Sequence, residues 1–335
     1  MQRQAGPGAL GIVVATTCLL LTAGVAALTL FTTRVVRTDA VTLGYLPASL
    51  EYPYNVAAAA GFEAGAREVG AKVLLLDPRG SVEKQANAFD DLLGQGASGI
   101  AMIPLDGVVA ESWVDKAWDL GIPVVSAATQ VGDAQRRPWA DVYPKLAALV
   151  GLDNTRAGHL SGDLAATLLP SGREARIAII QGAPGYPQIW QSTQGFEQAL
   201  KTRHVRYRIV AVQPTDWTPE KGQAVCQNFL SAHPDLDLIF SQADDMAVGC
   251  ARAIRAASSS VRLVAMGGGS KLGVRAIEEG NVDGSVCARP FETGRLAAHA
   301  LFEAVTDKAT PHARLIGYPS QAITRTNLAS CPERW

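Results

Sequence analysis

The sequence is poor in the patterns that carry out chemistry. It has no GxSxG, no HExxH, no GxxxxGK[ST] and no GxGxxG after a first strand. Those absences remove the nucleophile elbow, the zinc helix, the P-loop and the dinucleotide turn. The five cysteines, at 18, 226, 250, 287 and 331, form no CxxC. The five histidines, at 159, 204, 233, 299 and 312, show no metal-ligand spacing. Asp90 and Asp91 are adjacent on an expected helix and point in different directions, so they are no acid–base pair. No catalytic residue, metal or cofactor is expected, and the chain does not read as an enzyme. Charge is equally sparse: 30 Lys and Arg against 31 Asp and Glu, net −1, with no long block of either sign. Nucleic acid is therefore not an expected partner.

Apolar residues make up 48% of the chain and charged residues 18%, which suits a globular α/β protein with room for one or two cores. One long segment, residues 8–33, has no charge at all; it follows Arg3 and precedes Arg34 and Arg37. Its core, 12–31, is about long enough to span a bilayer. It reads either as a cleaved secretory signal, with Val25-Ala26-Ala27 as a small-residue processing site, or as an uncleaved amino-terminal anchor. Cys18 is a poor lipid-attachment site, because Thr16 and Thr17 precede it and the apolar run continues past it. Either way residues 40–335 are expected outside the cytoplasmic membrane, periplasmic or at the cell surface. In that oxidising compartment Cys226 and Cys250, on successive expected helices, either pair or remain two small buried thiols.

Strand and helix patterns alternate along the rest of the chain. Strands are expected at 41–46, 72–76, 99–103 and 123–127, with helices at 54–69, 82–93 and 108–120 between them. Residues 128–145 lack any period and read as surface loop. A second series follows, with strands at 146–152, 176–181, 206–212, 236–240, 261–266, 284–289 and 319–325, and with helices between. Alternation of this kind implies right-handed crossovers and parallel sheets. Two such series imply two doubly wound lobes, with a cleft between them for a small ligand.

Residues 214–250 show where that ligand would sit. The strand at 236–240 runs into Ser241–Asp245, and ligands of open α/β sheets bind outside the carboxyl ends of strands. Gln242, Asp244 and Trp217 are rim candidates there; the alternative is that Asp244 and Asp245 only cap the next helix. Tyr52, Tyr54, Tyr186 and Trp190 also follow strand ends, where flat faces can hold a ring. Trp113, Trp118 and Trp139 read as packing or surface. The turn Gly267-Gly268-Gly269-Ser270 either offers N–H groups to an anion or is simply tight.

Several stretches together carry a resemblance: Pro53-Tyr54-Asn55-Val56, Gly151-Leu152-Asp153-Asn154, Gln194-Gly195-Phe196-Glu197, Ala232-His233-Pro234-Asp235 and Gln242-Ala243-Asp244-Asp245-Met246. Over residues 41–326 the chain resembles the periplasmic sugar-binding proteins of ABC transporters, of the ribose-binding (type I) kind, whose fold also serves LacI-type effector domains. The resemblance implies two lobes joined by three crossovers and closing on ligand by a hinge. Residues 41–152 and 290–319 would form one lobe, and 153–289 and 320–335 the other. Asp153 and Asn154 would be a hinge pair. Ligand contacts would come from Tyr54, Asn55, Thr129, Trp190, Ser192, Trp217, Asp244, Gly268 and Arg289.

The chain departs from the sugar pattern at Ala128 and Thr129, Ser192, Ala243, the Gly267–Gly269 turn and Arg289. Those departures imply a ring-bearing ligand with an anionic group held by Arg289 and the N–H groups of 268–270; the alternative is that Arg289 pairs with Asp244. The expected function is an exported solute receptor, a monomer that hands a small ligand to an ABC permease. A second reading is a membrane-tethered sensor acting on a sensor kinase.

Overall fold

Short apolar runs become strands here because a sheet interior can bury both faces of four or five residues. The computed structural model describes residues 41–332 and 335, and the expected leader, with Cys18, lies outside them. The first series is β1 (Thr42–Leu46), α1 (Pro53–Glu68), β2 (Lys72–Leu75), α2 (Val82–Gly94), β3 (Gly99–Met102), α3 (Val109–Asp119), β4 (Val124–Ala127) and β5 (Ala148–Gly151). The second opens with α4 (Asn154–Leu168), β6 (Ala175–Gln181), α5 (Pro187–Thr202), β7 (Tyr207–Pro214), α6 (Pro219–Ala232), β8 (Leu238–Ser241) and α7 (Asp244–Ala256). It continues through β9 (Arg262–Ala265), α8 (Lys271–Glu278), β10 (Ser285–Val286), α9 (Pro290–Thr306), β11 (Arg314–Gly317) and β12 (Ala322–Ile323).

Helix starts are written in the sequence. Proline opens α1, α5, α6 and α9, where its missing N–H removes no helical bond. Ser81, Asp153, Thr218 and Ser270 cap α2, α4, α6 and α8 by accepting from the N–H three residues on. Among the described residues no helix is long and apolar enough to cross a membrane.

Two sheets result. One has six parallel strands in the order β11-β5-β4-β3-β1-β2; the other has four, β7-β6-β8-β9. A small antiparallel pair joins β10 to β12. The chain passes from the first sheet to the second after β5, returns at α9 and β11, and leaves again for β12. Strand side chains alternate between layers: Leu43 and Tyr45 join one core of the six-stranded sheet, Leu46 the other. In the four-stranded sheet Ile177 and Ile179 face one core, Ala178 and Ile180 the other.

Three expectations change. Residues 128–145 are irregular but not a surface loop, since Val131, Ala134, Trp139 and Val142 are buried. β11 is not among the expected strands, because its alternating exposure and leading Arg314 disguise an edge strand. The strand expected at 236–240 begins at Leu238, because Asp237 turns its carboxylate onto the Arg176 N–H (2.8 Å) and the Arg173 guanidinium. Cys226 is bonded to Cys250 and Cys287 to Cys331, with Cα separations of 5.1 and 5.7 Å.

Candidate functional site

The loops after β1, β4, β6, β7, β8 and β9 supply the walls of a cavity of about 140 Å³. Their common position at strand carboxyl ends follows from the parallel sheets. Tyr52, Tyr54 and Asn55 come from the start of α1, and Ala128 and Thr129 from the end of β4. Tyr186 and Gln188 follow β6, Trp217 follows β7, and Gln242 to Asp245 follow β8.

Trp217 is the most constrained wall. Its backbone sits at φ 71°, a conformation a bulky side chain holds only when its surroundings enforce it. The Trp217 N–H donates to Thr215 Oγ1 (3.2 Å), and the ring meets Tyr186 edge-on at 5.5 Å. The indole also occupies the space beside Gly182, where a Cβ would fall 1.9 Å from the ring. It packs against cores of both sheets. Ala128, at φ 60°, is a second left-handed residue in the wall; its N–H donates to Val150 O (2.7 Å).

The polar groups of the wall share one property. Asn55 Oδ1, Thr129 Oγ1, Gln188 Oε1 and Gln242 Oε1 are buried and find no hydrogen-bond partner among the described residues. The Gln242 amide is held by donating to Ile189 O (2.9 Å) and Thr193 Oγ1 (2.8 Å), which orients it and leaves its carbonyl over. Buried oxygens left without a partner are costly, so four around one cavity mark positions where a ligand's donors belong. Burial pushes the Tyr186 phenol well above its usual range, which keeps it neutral.

The two carboxylates at the start of α7 have different roles. Asp244 is almost fully buried and accepts from Ser285 Oγ (2.7 Å) and Ser270 Oγ (3.3 Å). It is seated against Gly273, where a Cβ would fall 1.9 Å from its Oδ2. Asp245 is half-buried, lines the cavity, and no described residue hydrogen-bonds its carboxylate. Burial raises its pKa. Neither caps the helix: the N-cap is Ala243, and both aspartates lie in the first turn.

Burial, opposed by the Ser285 hydrogen bond and reinforced by the Asp245 charge, pushes Asp244 up to about 7. An unfolded aspartate titrates near 3.9, so the folded state holds the extra proton between those values. The contribution of Asp244 to stability is therefore fully present below about pH 4 and is lost as pH rises through about 7. Calorimetry should show a Tm about 3 °C or more higher at pH 5 than at pH 8.5. Asp244→Asn should shrink that difference, and Asp245, shifted in the same direction, should account for part of what remains. An unchanged difference in Asp244→Asn would place the proton elsewhere.

The sequence candidates divide. Tyr54, Asn55, Thr129, Trp217 and Asp244 line the cavity, as does Asn154, expected at the hinge; Asp153 caps α4. Trp190 does not line it; it borders a neighbouring cavity of about 370 Å³ that meets the first at Tyr186. Ser192 turns its hydroxyl back to Gln188 O (2.7 Å) within its own helix. Gly268 donates to Val286 O (2.6 Å) and contributes no wall. The Gly269 N–H faces the Asp244 carboxylate and the Lys271 N–H donates to Trp335 O (2.7 Å), so both of these N–H groups are used within the protein. Arg289 lays its guanidinium over the Tyr318 ring at 5.6 Å and is absent from the wall; nor does it pair with Asp244. Among the described lining residues there is no Lys, Arg or His. Sequence reasoning missed Gln188, Met266 and Trp335, and passed over Asp245 in favour of Asp244.

Comparison with known proteins agrees with this fold. The periplasmic binding protein domain profile matches residues 43–309. The ribose import binding protein RbsB of Bacillus subtilis is 27% identical over 259 residues, covering 77% of this chain and 80% of its own. A Mycobacterium smegmatis ABC transporter solute-binding protein with bound glycerol is 27% identical, covers 87% of this chain and 96% of its own, and superposes with a TM-score of 0.76. The Caulobacter myo-inositol binding protein gives 0.78 at 23% identity, over 88% of this chain and 97% of its own.

Proposed function

This chain belongs to the periplasmic binding protein family, and from that premise we propose that it is the solute receptor of an ABC importer, closing on a neutral monosaccharide or polyol. It is a binding protein, not an enzyme. The observation that carries the ligand class is the ring of buried oxygens without a hydrogen-bond partner among the described residues, on Asn55, Thr129, Gln188 and Gln242, around a cavity with aromatic walls. Hydroxyl groups donate to such oxygens, while the aromatic faces take the apolar side of a ring. Asp245 adds a carboxylate acceptor, whose bonds to hydroxyls are the stronger kind. A carboxylate in the wall, with no cation among the described lining residues, disfavours an anionic ligand, so the anion expected at Arg289 is not part of this proposal. The name of the Bacillus relative is consistent with a sugar. An exported location is supported by the uncharged segment 8–33 and by two disulfides, which persist in oxidising compartments.

The test is a thermal-shift panel on the full chain with D-ribose, D-allose, myo-inositol, glycerol, sugar phosphates and aromatic carboxylates. A neutral sugar or polyol at 100 times its dissociation constant should raise Tm by roughly 5–10 °C, since it stabilises by about 2.7 kcal/mol. Shifts confined to the phosphates or carboxylates would overturn the neutral-ligand assignment.

A further inference from the structure

The segment after β12 returns to the cavity, which nothing in its local sequence announces. Leu328 packs on a core of the four-stranded sheet, and the Gln321 amide donates to Ser330 O. Cys331 is bonded to Cys287, next to the lining residue Ala288. Trp335 is then fixed to the β9–α8 turn at both backbone groups: its N–H donates to Gly269 O (3.2 Å) and its carbonyl accepts from the Lys271 N–H (2.7 Å). From that anchor the indole reaches Tyr54 of α1 edge-on, ring centroids 5.7 Å apart, and lines the cavity. Its Nε1 is buried and has no hydrogen-bond partner among the described residues. A residue held by the second sheet's turn thus meets an aromatic from the first sheet's side.

We propose that Cys331, locked to Cys287, and Trp335, fixed to the β9–α8 turn, are the two anchors of a strap whose Trp335 indole is a ligand-contacting wall that limits the cavity to a single small ring. This rests on the sugar reading above for its ligand. The volume agrees with the limit: about 140 Å³ is close to the roughly 150 Å³ of a protein cavity that takes up one benzene ring. The flat indole supplies a face for the ring's C–H groups, and Nε1 a donor for one of its oxygens. Because the strap is covalently held, Trp335 is in place before the ligand arrives, which lowers the ordering cost of binding. Breaking the disulfide frees the indole and lowers affinity, so the site responds to redox conditions.

Two arms of one experiment test this on the full chain. The first compares tryptophan emission of the wild type with Trp335→Phe, so that the difference isolates Trp335, and repeats it in a Cys287→Ser, Cys331→Ser pair that spares Cys226–Cys250. Acrylamide should quench Trp335 poorly in the disulfide-bonded chain and more readily in the serine pair; equal quenching overturns the strap. The second arm titrates D-ribose, D-allose, myo-inositol and the disaccharide maltose by calorimetry. Trp335→Ala should weaken the best monocyclic ligand about tenfold, Trp335→Phe should recover most of that loss, and maltose should gain relative to it. Unchanged or tighter monocyclic binding in Trp335→Ala overturns the wall. If the wild type binds none of these sugars while Trp335 is shielded and is released in the serine pair, the sugar reading fails and the docked strap stands.

Discussion

Trp217→Ala is expected to weaken binding of the sugar that shifts Tm most by roughly 100-fold, equivalent to about 2.7 kcal/mol. The size follows from how the indole is held. A left-handed backbone, the Thr215 hydroxyl under its N–H, the space beside Gly182 and the edge of Tyr186 all fix one orientation. A preorganised aromatic wall loses little freedom on binding, so most of its contact energy appears as affinity. Because Trp217 touches cores of both sheets, its removal should also loosen closure. Trp217→Phe should keep affinity within about tenfold, since a ring face remains. Gly182→Ala offers an independent check: its methyl would displace the indole, so it should weaken binding without replacing any lining residue. Isothermal calorimetry on the three variants decides. Wild-type affinity in Trp217→Ala would remove the indole from the site.

Gly195→Ala should be among the most destabilising single methyl additions in the helices around the four-stranded sheet, costing about 3 kcal/mol or more and lowering Tm by roughly 6–12 °C. Gly195 lies on α5 where that helix crosses α4; a Cβ there would fall 1.9 Å from Thr155 O and 2.9 Å from the His159 N. The partner Gly158 on α4 meets Ser192 O in return, at 2.1 Å from its own imagined Cβ. Both obstacles are backbone, which cannot rotate away as a side chain can. The same reciprocal contact joins α6 to α7 through Gly249 and Pro219 O (1.8 Å), and α1 to α9 through Gly294 and Ala58 O (1.9 Å). Gly94→Ala is the control: it ends α2 with nothing within 4 Å of the added methyl, and should leave Tm unchanged or slightly higher. Thermal unfolding of the two variants is sufficient. A Gly195→Ala protein as stable as Gly94→Ala would mean that the helix pair can open without cost.

Ser192 shows how these two results connect. Its side chain is turned into its own helix, while its backbone carbonyl is the surface on which Gly158 rests. The residue that sequence comparison places in the ligand site is, in this chain, part of the helix contact beneath it. Arg289 is similar: stacked on Tyr318 at the crossover into α9, it belongs to the joint between the sheets.

By itself the sequence determined the alternation of strand and helix, two parallel sheets, the proline and Ser/Thr/Asp helix starts, and the aromatic loops that supply Tyr54 and Trp217. These are legible because run length and period report burial directly, and because caps and prolines act within four residues of where they stand. It did not determine which of the two adjacent aspartates in the cavity wall is satisfied from within the fold. One residue on a helix is a rotation of about 100°, and the extended backbone at Ala243 (φ −155°) sets the starting angle, so Asp244 accepts from Ser285 and Ser270 while no described residue hydrogen-bonds the Asp245 carboxylate. Nor did it place the edge strand β11, the Cys287–Cys331 bond or Trp335. Each of these depends on a partner far away in the chain: β5 for β11, a cysteine 44 residues upstream, the Gly269–Lys271 turn for the indole. Local pattern carries no record of such distances. Only the packed tertiary structure brings these groups together, and with them the choice of which polar atoms are satisfied internally and which are left for a ligand.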